Sequence, residues 1–346
     1  MSILSGVSSF FGLDIGTTGI RVVELRGTGS ARSLVKYAYV PIDTKLAQSD
    51  SRADQQKLGQ VLANLVLQAK LSTKNVAVGL PSSRVFTTIV DFDRIPESEL
   101  GKAIGYQADS LIPTPPAESK MDWAMIGDSP KDPTKIEILL SSVPNSFIEQ
   151  RLDLIESIGL NVIAFEPDNL ALSRALVPIG TAAPQLVLDI GQLGTDLVVT
   201  MGDAPRLTRA IPTGVEAIIR SAMQNLNVDE KQAQQFVNKF GVSKDKLEGQ
   251  VYQAIIGTID LLVSEIDKSV KFFQARYPTQ PIERMIVTGG ASTIPEFPLY
   301  LANKFGINVE IGNAWRNVAF MPDRQNELLN VSNQFGVAVG LAERKA

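Results

Sequence analysis

The stretch Leu-Asp-Ile-Gly-Thr-Thr-Gly at residues 13–19 returns as Leu-Asp-Ile-Gly-Gln-Leu-Gly at residues 188–194, about half a chain length later. Aligning Asp14 with Asp189 also pairs Val23 with Val198. With each residue type at roughly 5–10% of a chain, such a second copy arises by chance on the order of once in a thousand chains. The repeat therefore predicts two structurally related halves that carry the same turn.

Each copy is followed by a segment rich in β-branched residues and leucine, "IRVVEL" after the first and "TDLVVT" after the second. Both segments are typical of strands, so each motif is predicted to be a hairpin with a glycine-rich tip. A dinucleotide fingerprint requires a helix after the glycines and a P-loop requires Gly-Lys-Ser/Thr, and neither is present. Because glycine lets the backbone approach closely, successive N–H groups at such a tip can bind phosphate oxygens.

An aspartate precedes the tip of each predicted hairpin. A carboxylate at this position can reach Mg²⁺ through water, since this ion keeps much of its hydration shell. Two such hairpins facing each other would hold the phosphates of a nucleotide from both sides, with Asp14 and Asp189 flanking the metal ion. A plain hairpin turn, in which Gly and Asp are common, is the alternative for either copy taken alone.

A third glycine element follows near the end of the chain. The segment "IERMIVTGGAS" at residues 282–292 is an apolar strand that runs into Gly289 and Gly290, and "STIPEF" after it indicates the start of a helix. Small residues at such a junction allow a flat ring or a ribose to lie against the backbone. Glycines also commonly end strands, so this element supports a nucleotide site only together with the two hairpins.

The composition excludes several classes of protein. The 346 residues include no His and no Cys, which removes histidine-base mechanisms, thiol nucleophiles, disulfides and the usual zinc sites. The formal net charge of −4 gives no indication of a nucleic-acid partner. Apolar runs stay shorter than the roughly 18 residues that span a membrane, and the N-terminal segment does not fit a secretory signal. We therefore expect a cytoplasmic protein.

The order Asp-x-Gly-Thr, Asp-x-Gly with Thr-Asp, and Thr-Gly-Gly-Ala resembles the actin-like ATPase superfamily. Longer stretches resemble the PilM family of cytoplasmic type IV pilus assembly proteins: "FFGLDIGTTGIRVVEL" (10–25), the segments 80–113 and 139–176, and "IERMIVTGGASTIPEFPLYLANKFGINVEIGN" (282–313). The resemblance covers nearly the whole chain. It implies an α/β, actin-like (ribonuclease H-like) duplicated fold of two halves around a nucleotide cleft, with a small inserted subdomain as in FtsA and PilM.

The resemblance also assigns site residues. Positions that match the family's nucleotide motifs are Asp14, Gly16, Thr17, Thr18 and Arg21 in the first hairpin, Asp189, Gly191, Gly194, Thr195 and Asp196 in the second, and Gly214, Gly289, Gly290 and Ala291 further along. The implied cofactors are ATP and Mg²⁺, with the metal held by Asp14 and Asp189 through water. The side chain that would hold a catalytic water is not identified, and ATP hydrolysis is expected to be weak or absent.

One departure from the family lies in the predicted adenosine site. Relatives often carry Ala-Glu-x-x-Lys on a helix whose charges approach the adenosine, and Gln234 and Val237 replace the Glu and the Lys here. A hydrogen bond to a charged group contributes ~1.5–3 kcal/mol against ~0.5–1.5 for a neutral one. The change therefore predicts a loss of ~2–4 kcal/mol, or one to three decades of affinity, unless nearby Lys239 compensates. Val215 likewise stands where relatives often have the second of two glycines near the sugar.

The patterns divide the chain into four predicted subdomains. The first actin-like subdomain (1A) takes residues 1–83, 166–184 and 332–346, and the inserted β-α-β-β-α-β subdomain (1C) takes 84–165. The second actin-like subdomain (2A) takes 185–215 and 282–331, and a mostly helical subdomain (2B) takes 216–281. The inserted strands, expected at 84–93, 121–127, 136–143 and 161–166, would form a sheet of their own.

The resemblance implies a scaffold or switch of type IV pilus biogenesis that binds ATP. Its expected partner is the cytoplasmic N-terminal tail of the inner-membrane protein PilN, bound in a groove between subdomains 1A and 1C with walls from residues 84–113 and 160–180. This contact would link the membrane alignment complex to the cytoplasmic machinery. Arg84, Phe86, Tyr106 and Ile112 are candidate groove contacts.

Further implied partners are a PilO-containing complex and the cytoplasmic pilus ATPases, with no nucleic acid. The protein would be cytoplasmic and peripherally associated with the inner membrane through its partner. Two alternatives stay open: an FtsA-like or MreB-like filament-forming protein, and a sugar kinase of the same superfamily. The missing membrane-targeting tail weighs against an FtsA-like protein, and the missing sugar-binding signature weighs against a kinase.

Overall fold

The computed structural model describes residues 9–345, so the first eight residues and Ala346 of the predicted first subdomain lie outside it. Its strands are β1 (Phe11–Ile15), β2 (Gly19–Arg26), β3 (Ser33–Pro41), β4 (Asn75–Leu80), β5 (Phe86–Asp93), β6 (Ser119–Asp128), β7 (Lys135–Pro144), β8 (Asn161–Pro167), β9 (Gln185–Ile190), β10 (Thr195–Met201), β11 (Ala204–Ile211), β12 (Arg284–Thr288) and β13 (Asn308–Ile311).

Its α-helices are α1 (Thr44–Gln48), α2 (Arg52–Ala69), α3 (Glu97–Leu111), α4 (Asn145–Glu156), α5 (Asp168–Leu176), α6 (Val215–Leu226), α7 (Glu230–Phe240), α8 (Gln250–Arg276), α9 (Phe297–Phe305), α10 (Gln325–Val331) and α11 (Gly336–Ala342). A short 3₁₀ turn, Ser332–Gln334, precedes α11. None of the helices in residues 9–345 is both long and apolar enough to cross a lipid bilayer.

Two five-stranded sheets repeat one topology. The first has the order β3-β2-β1-β4-β8 and the second has the order β11-β10-β9-β12-β13. In each, three consecutive strands form an antiparallel meander and two parallel strands follow on the far side of the first strand. The duplication predicted from the two glycine-rich motifs is therefore present in the backbone, with β1 and β9 in equivalent positions.

The core is layered around these sheets. One face of the first sheet packs on α2 and α4, and one face of the second packs on α6, α7 and α8. The apolar side chains of α8 between Ile259 and Phe273 are buried in this second core. Between the two sheets lies a shared core that includes Val23 of the first sheet, Val187 of the second, and residues of α5 and α11.

The helices α5 and α11 cross with their backbones in direct contact. A Cβ placed on Gly340 of α11 would lie 1.7 Å from the carbonyl oxygen of Ala171 in α5, and one on Gly12 of β1 would lie 2.2 Å from the carbonyl oxygen of Ala338. These positions accept only glycine without movement of the backbone. The pair of helices between the two sheets therefore depends on small residues for its close approach.

The inserted segment forms a smaller unit than predicted. Its sheet has three strands in the order β5-β7-β6, and α3 covers one face with Leu100 and Ile104 buried in a separate core. The prediction that the strand at 161–166 closes this sheet is wrong, because β8 pairs in parallel with β4 of the first sheet. Helix α4, which leads into β8, packs against α2. The remaining subdomain boundaries stay a prediction.

Five side chains join the inserted sheet to the second half, and we call them the Glu137 cluster: Asp91, Glu137, Arg206, Arg276 and Tyr277. The Glu137 carboxylate is fully buried and accepts hydrogen bonds from Arg276 Nε at 2.8 Å and from the Tyr277 hydroxyl at 2.6 Å. Arg276 also donates to Asp91 at 2.6 Å. Arg206 lies 3.4 Å from the second carboxylate oxygen and donates to the carbonyl of Ile126.

Candidate functional site

A cavity of about 770 Å³ lies between the two halves, at the ends of the equivalent strands β1 and β9. Its size falls in the range of small-molecule sites. All of the sequence-predicted site residues except Gly214 and Ala291 line it. The two glycine-rich hairpins, which are far apart in the sequence, therefore meet at one site as predicted from their repetition.

The two hairpin tips are closed by equivalent backbone hydrogen bonds. In the first, the N–H of Gly16 donates to the carbonyl of Gly19 at 3.0 Å, and in the second the N–H of Gly191 donates to that of Gly194 at 2.9 Å. Within residues 9–345, no backbone carbonyl accepts the N–H groups of the residues between: Thr17 and Thr18 in the first tip, and Gln192 and Leu193 in the second. Each tip therefore presents consecutive N–H donors at the cavity, which is the arrangement that binds anions.

The second tip is held from behind by helix α6. The N–H of Val215 donates to the carbonyl of Gly191 and that of Glu216 to the carbonyl of Gln192, both at 2.9 Å. A Cβ on Gly214 would lie 2.5 Å from the Gly191 carbonyl oxygen, so glycine is required at this position. Gly214 thus supports the tip and does not line the cavity. The Thr195 hydroxyl donates to the carbonyl of Thr213 at 2.7 Å and fixes the same segment.

Equivalent positions of the two hairpins carry opposite charges. In the first, Asp14 faces Arg21 across the strand pair, and the guanidinium lies 3.2 Å from the carboxylate. In the second, Asp189 faces Asp196 in the same register. Arg21, which matches the family's first nucleotide motif, lines the cavity, pairs with Asp14 and donates to the carbonyl of Gly19. The first hairpin therefore contains its own ion pair, whereas the second places two acidic residues opposite each other.

The carboxylates at the cavity have perturbed ionisation. Burial and the negative charge of Asp14 raise the pKa of Asp189 to about 6. Burial and Asp189 raise the pKa of Asp196 to about 7. Burial also raises the pKa of Asp14, although its ion pair with Arg21 opposes this shift. Carboxylates that lack a compensating positive charge at neutral pH favour the binding of a cation among them.

A fourth carboxylate at the cavity, that of the partly buried Asp168, was missed in the sequence. It is the first residue of α5, and its Oδ1 atom has no hydrogen-bond partner in the described residues. Burial and the negative charges of Asp14, Asp196 and Asp189 raise its pKa well above the usual value. Because an acidic residue at the start of a helix is common for reasons of helix stability alone, nothing local distinguishes this position as part of a site.

The N–H groups of the two tips and the carboxylates of Asp14 and Asp189 fit the phosphates and the metal of a Mg²⁺–nucleotide. Within residues 9–345, no three His, Cys, Asp or Glu side chains converge to hold a metal ion directly. Mg²⁺ commonly binds through one or two carboxylates, water and substrate phosphates, which Asp14 and Asp189 would supply together with the bound ligand. When bound, the ion would neutralise phosphate charge. The N–H groups of the two tips would orient the phosphate oxygens.

The third glycine element follows β12 and lies beside the second hairpin, where Thr288 pairs with Asp189. Gly289 adopts φ +78, and a Cβ there would lie 2.2 Å from the Asp189 carboxylate and 2.6 Å from the carbonyl oxygen of Ile190. Glycine is thus required here by the adjacent strand β9. Gly290 lines the cavity, whereas Ala291 is fully buried in the core of the second half. Ala291 therefore supports the element from behind.

The family description "Type IV pilus assembly protein PilM" matches residues 12–346. The chain belongs to the PilM family. The membership predicted from the sequence is confirmed over nearly the whole chain. The solved "PilM-PilN type IV pilus biogenesis complex" contains a chain to which this PilM-family protein is similar, at 24% identity and a TM-score of 0.82, covering 97% of this chain and 98% of that one.

More distant structures share the fold of this PilM-family chain. The ethanolamine utilization protein EutJ from Carboxydothermus hydrogenoformans is 13% identical, with a TM-score of 0.57 and coverage of 96% of this chain and 88% of that one. MreB5 of Spiroplasma citri bound to AMPPNP is also 13% identical, with a TM-score of 0.54 and coverage of 96% and 95%. The predicted actin-like α/β fold is thereby confirmed.

Proposed function

We propose that this protein binds ATP with Mg²⁺ in the cleft and serves type IV pilus assembly as a scaffold for the N-terminal tail of PilN. The observation that carries the nucleotide part is the pair of hairpin tips, each with N–H groups of Thr17 and Thr18 or Gln192 and Leu193 that no backbone carbonyl accepts in the described residues. The tips come from equivalent strands and line one cavity. Family membership supports the role in pilus assembly.

Titration calorimetry with Mg²⁺–ATP tests the nucleotide part. We expect Asp189→Asn to weaken binding at least tenfold, because the variant removes a carboxylate that would reach the metal through water. The matched control is Asp203→Asn, which changes an exposed aspartate on the turn between β10 and β11 outside the cavity. The control should bind within twofold of the parent protein. Absence of any binding at millimolar Mg²⁺–ATP would refute the proposal.

We assign the PilN tail to the junction of the first half with the inserted sheet, where subdomain 1C meets 1A. A small apolar cluster lies there, built on Leu80, Val143 and Phe147. Arg84 lies over the Phe147 ring at 5.5 Å, and its side chain is half-exposed. Exposed aromatic side chains are common at the centre of peptide interfaces, and Tyr106 on α3 is 88% exposed. The complex of the similar PilM chain with PilN supports this partner.

One predicted groove contact has no access to a peptide. Ile112 is buried in the core of the inserted sheet together with Phe92 and Ile138, so its side chain stabilises that sheet. Phe86, by contrast, is more than one-third exposed at the start of β5. The candidate contacts that stay in this proposal are therefore Arg84, Phe86 and Tyr106.

Fluorescence anisotropy with a labelled PilN tail peptide tests the assignment. Tyr106→Ala is expected to weaken binding at least tenfold, since removal of an aromatic hot spot commonly costs 2 kcal/mol or more, or about thirtyfold. Phe272→Ala is the matched control, because Phe272 is also an exposed aromatic but lies on α8 of the second half. Equal effects of the two substitutions would contradict the assignment of the peptide to the inserted sheet.

The same proposal gives the location of the protein. We expect it in the cytoplasm, bound to the inner membrane through PilN, with contacts to a PilO-containing complex and the cytoplasmic pilus ATPases through the assembled machinery. Cell fractionation should recover the protein with membranes when PilN is present and in the soluble fraction when PilN is deleted. Recovery with membranes in both strains would contradict peripheral association through this partner.

A further inference from the structure

A second cavity, of about 310 Å³, lies where an edge strand of the inserted sheet approaches an edge strand of the second sheet. Its walls are residues 87–89 of β5, residues 206–209 of β11, and Phe272 and Arg276 of α8. Within residues 9–345, no backbone hydrogen bond joins β5 to β11. The cavity shares no lining residue with the cleft between the halves or with the apolar cluster to which we assign the peptide.

The charged side chains that line this cavity are all arginines. They are Arg206, Arg209 and Arg276, and no acidic side chain of the described residues lines it. Two carboxylates outside the lining, those of Glu137 and Asp91, contact Arg206 and Arg276. Because three guanidinium groups meet only two carboxylates, the cavity keeps an excess of positive charge.

Arg209 is the arginine of the three with the fewest partners. It is exposed and forms no ion pair within residues 9–345, and its side chain makes one hydrogen bond there, from Nη1 to the Ser269 hydroxyl at 3.2 Å. Glu265, one turn before Ser269 on α8, pairs with Lys268. The Nε and Nη2 groups of Arg209 are therefore available to an anion, and such charge-assisted hydrogen bonds are the strong ones.

Further donors come from the other walls. Arg276 uses Nε and Nη2 to bind Glu137 and Asp91, whereas its Nη1 makes no hydrogen bond within residues 9–345. The hydroxyls of Thr88 and Thr208 also make none in the described part of the chain. A phosphate group has three acceptor oxygens in a tetrahedral arrangement, so it can use donors from several directions, whereas a carboxylate is planar. Donors on β5, β11 and α8 therefore favour a phosphate group.

Phe272 adds an apolar wall beside these donors. Its side chain is 64% exposed, and it lies four residues before Arg276 on α8, so the two side chains are neighbours on one helix face. An aromatic wall can contact the apolar body of a ligand whose anionic group binds the arginines. A cavity of about 310 Å³ is at the lower end of the range for small-molecule sites, so it fits a small ligand.

The geometry points to a binding site for a small phosphate monoester with an apolar body, between the inserted sheet and the second half. The phosphate group binds Arg209 and Arg276, and the apolar body contacts Phe272. This site is independent of nucleotide binding in the cleft and of the contact with PilN, since it shares no residue with either. Because its walls come from two parts of the fold, the bound ligand joins them and stabilises the folded state.

Titration calorimetry of the full chain with phenyl phosphate, without nucleotide, tests the site. We expect a dissociation constant of about 1 mM or lower, an ordinary strength for a ligand of this size. Arg209→Gln should weaken binding about tenfold or more, because a hydrogen bond between two charged groups is lost. The matched control is Arg26→Gln, since Arg26 is exposed at the end of β2 and lines neither cavity, and it should bind within about twofold of the parent protein.

Two further measurements identify which part of the ligand each wall binds. Phe272→Ala should weaken phenyl phosphate about threefold or more and leave inorganic phosphate within about twofold, because the ring contacts only the apolar body. Benzoate should bind the parent protein about fivefold or more weakly than phenyl phosphate, since it has fewer acceptor oxygens. Arg209→Gln should melt within about 1 °C of the parent protein, which checks that this variant is folded.

The outcomes that would overturn the inference are distinct. Absence of phenyl phosphate binding at millimolar concentration would refute the site. Equal affinity of the parent protein and Arg209→Gln would refute it as well, because the phosphate would then bind elsewhere, for example at the hairpin tips of the cleft. Benzoate binding as tightly as phenyl phosphate would overturn the assignment of a phosphate group. None of these results bears on the binding of Mg²⁺–ATP in the cleft, which has its own test.

Discussion

Replacing Glu137 by Gln removes the negative charge at the centre of the Glu137 cluster while it keeps the shape of the side chain. The carboxylate is fully buried on β7 and lies 2.7 Å from the Arg276 guanidinium, and Arg206 lies 3.4 Å from its other oxygen. The substitution leaves two largely buried arginines without this carboxylate. Removal of one partner from a buried ion pair typically costs about 3–5 kcal/mol, because the remaining charge is desolvated without compensation.

This cost converts to a shift in melting temperature. At about 2.1 cal/mol/K of unfolding entropy per residue, the free energy of unfolding of a 346-residue chain changes by about 0.7 kcal/mol per degree near its melting temperature. The Glu137→Gln variant should therefore melt about 4–7 °C below the parent protein in differential scanning calorimetry. The matched control is Glu265→Gln on α8, which removes an exposed pair with Lys268 at 2.5 Å and should change the melting temperature by less than about 1 °C.

A double-mutant cycle with Arg276→Gln assigns the effect to the ion pair. If the pair carries the stability, the double variant should be less destabilised than the sum of the two single variants, with a coupling of about 0.5–3 kcal/mol. Equal melting temperatures for the Glu137 and Glu265 variants, or additive effects in the cycle, would refute the view that the cluster joins the inserted sheet to the second half.

Three further outcomes follow from the cleft and the crossing helices. Gly340→Ala should destabilise the protein by about 3 kcal/mol or more in denaturant unfolding, because its Cβ would overlap the Ala171 carbonyl, whereas Gly257→Ala on an exposed face of α8 should stabilise it by about 0.5–1 kcal/mol. Because the pKa values of Asp189 and Asp196 are raised from 3.8 to about 6 and about 7, the folded state holds protons that the unfolded chain has released. The free energy of unfolding without Mg²⁺ should therefore fall as the pH rises from 4 to 7, by at most about 1.4 kcal/mol per pH unit and group, and a flat profile would contradict these shifts. Asp168→Asn, which removes a partly buried carboxylate near three others, should raise the melting temperature at pH 8, and a lower value would show that Asp168 has a stabilising partner.

Local patterns in the sequence predicted most elements but not every pairing between them. The inserted strands lie close to the predicted ranges, since the alternation of apolar and polar residues is a local signal. The partner of β8 is decided by distant contacts, because α4 packs on α2 and leads the chain to the edge of the first sheet beside β4. Nothing within residues 161–166 indicates which of two sheet edges receives that strand.

The same difference between local sequence signals and distant contacts applies to the site. The repeated hairpins could be predicted because the turn chemistry of each tip lies within seven consecutive residues. Asp168 could not be predicted, since an acidic residue in the first turn of a helix is ordinary in isolation. The flanks of Glu137 did carry a signal: Ile136 and Ile138 are apolar on both sides of it, and in the structure all three are buried. A charge inside a strand buried on both faces indicates a partner from another part of the chain.

The opposite charges at equivalent positions of the two hairpins give the halves different dependence on the surrounding solution. In the first, Arg21 provides a permanent counter-ion to Asp14 as soon as the chain folds. In the second, Asp196 stands at that position, so no residue of this hairpin balances the charge of Asp189 and a proton or a cation from outside stabilises it. In this duplicated fold, one copy of the turn therefore carries its own counter-ion, and the ionisation of the other copy depends on the ions in the surrounding solution. The resting state of the cleft should therefore vary with magnesium concentration even before any nucleotide enters.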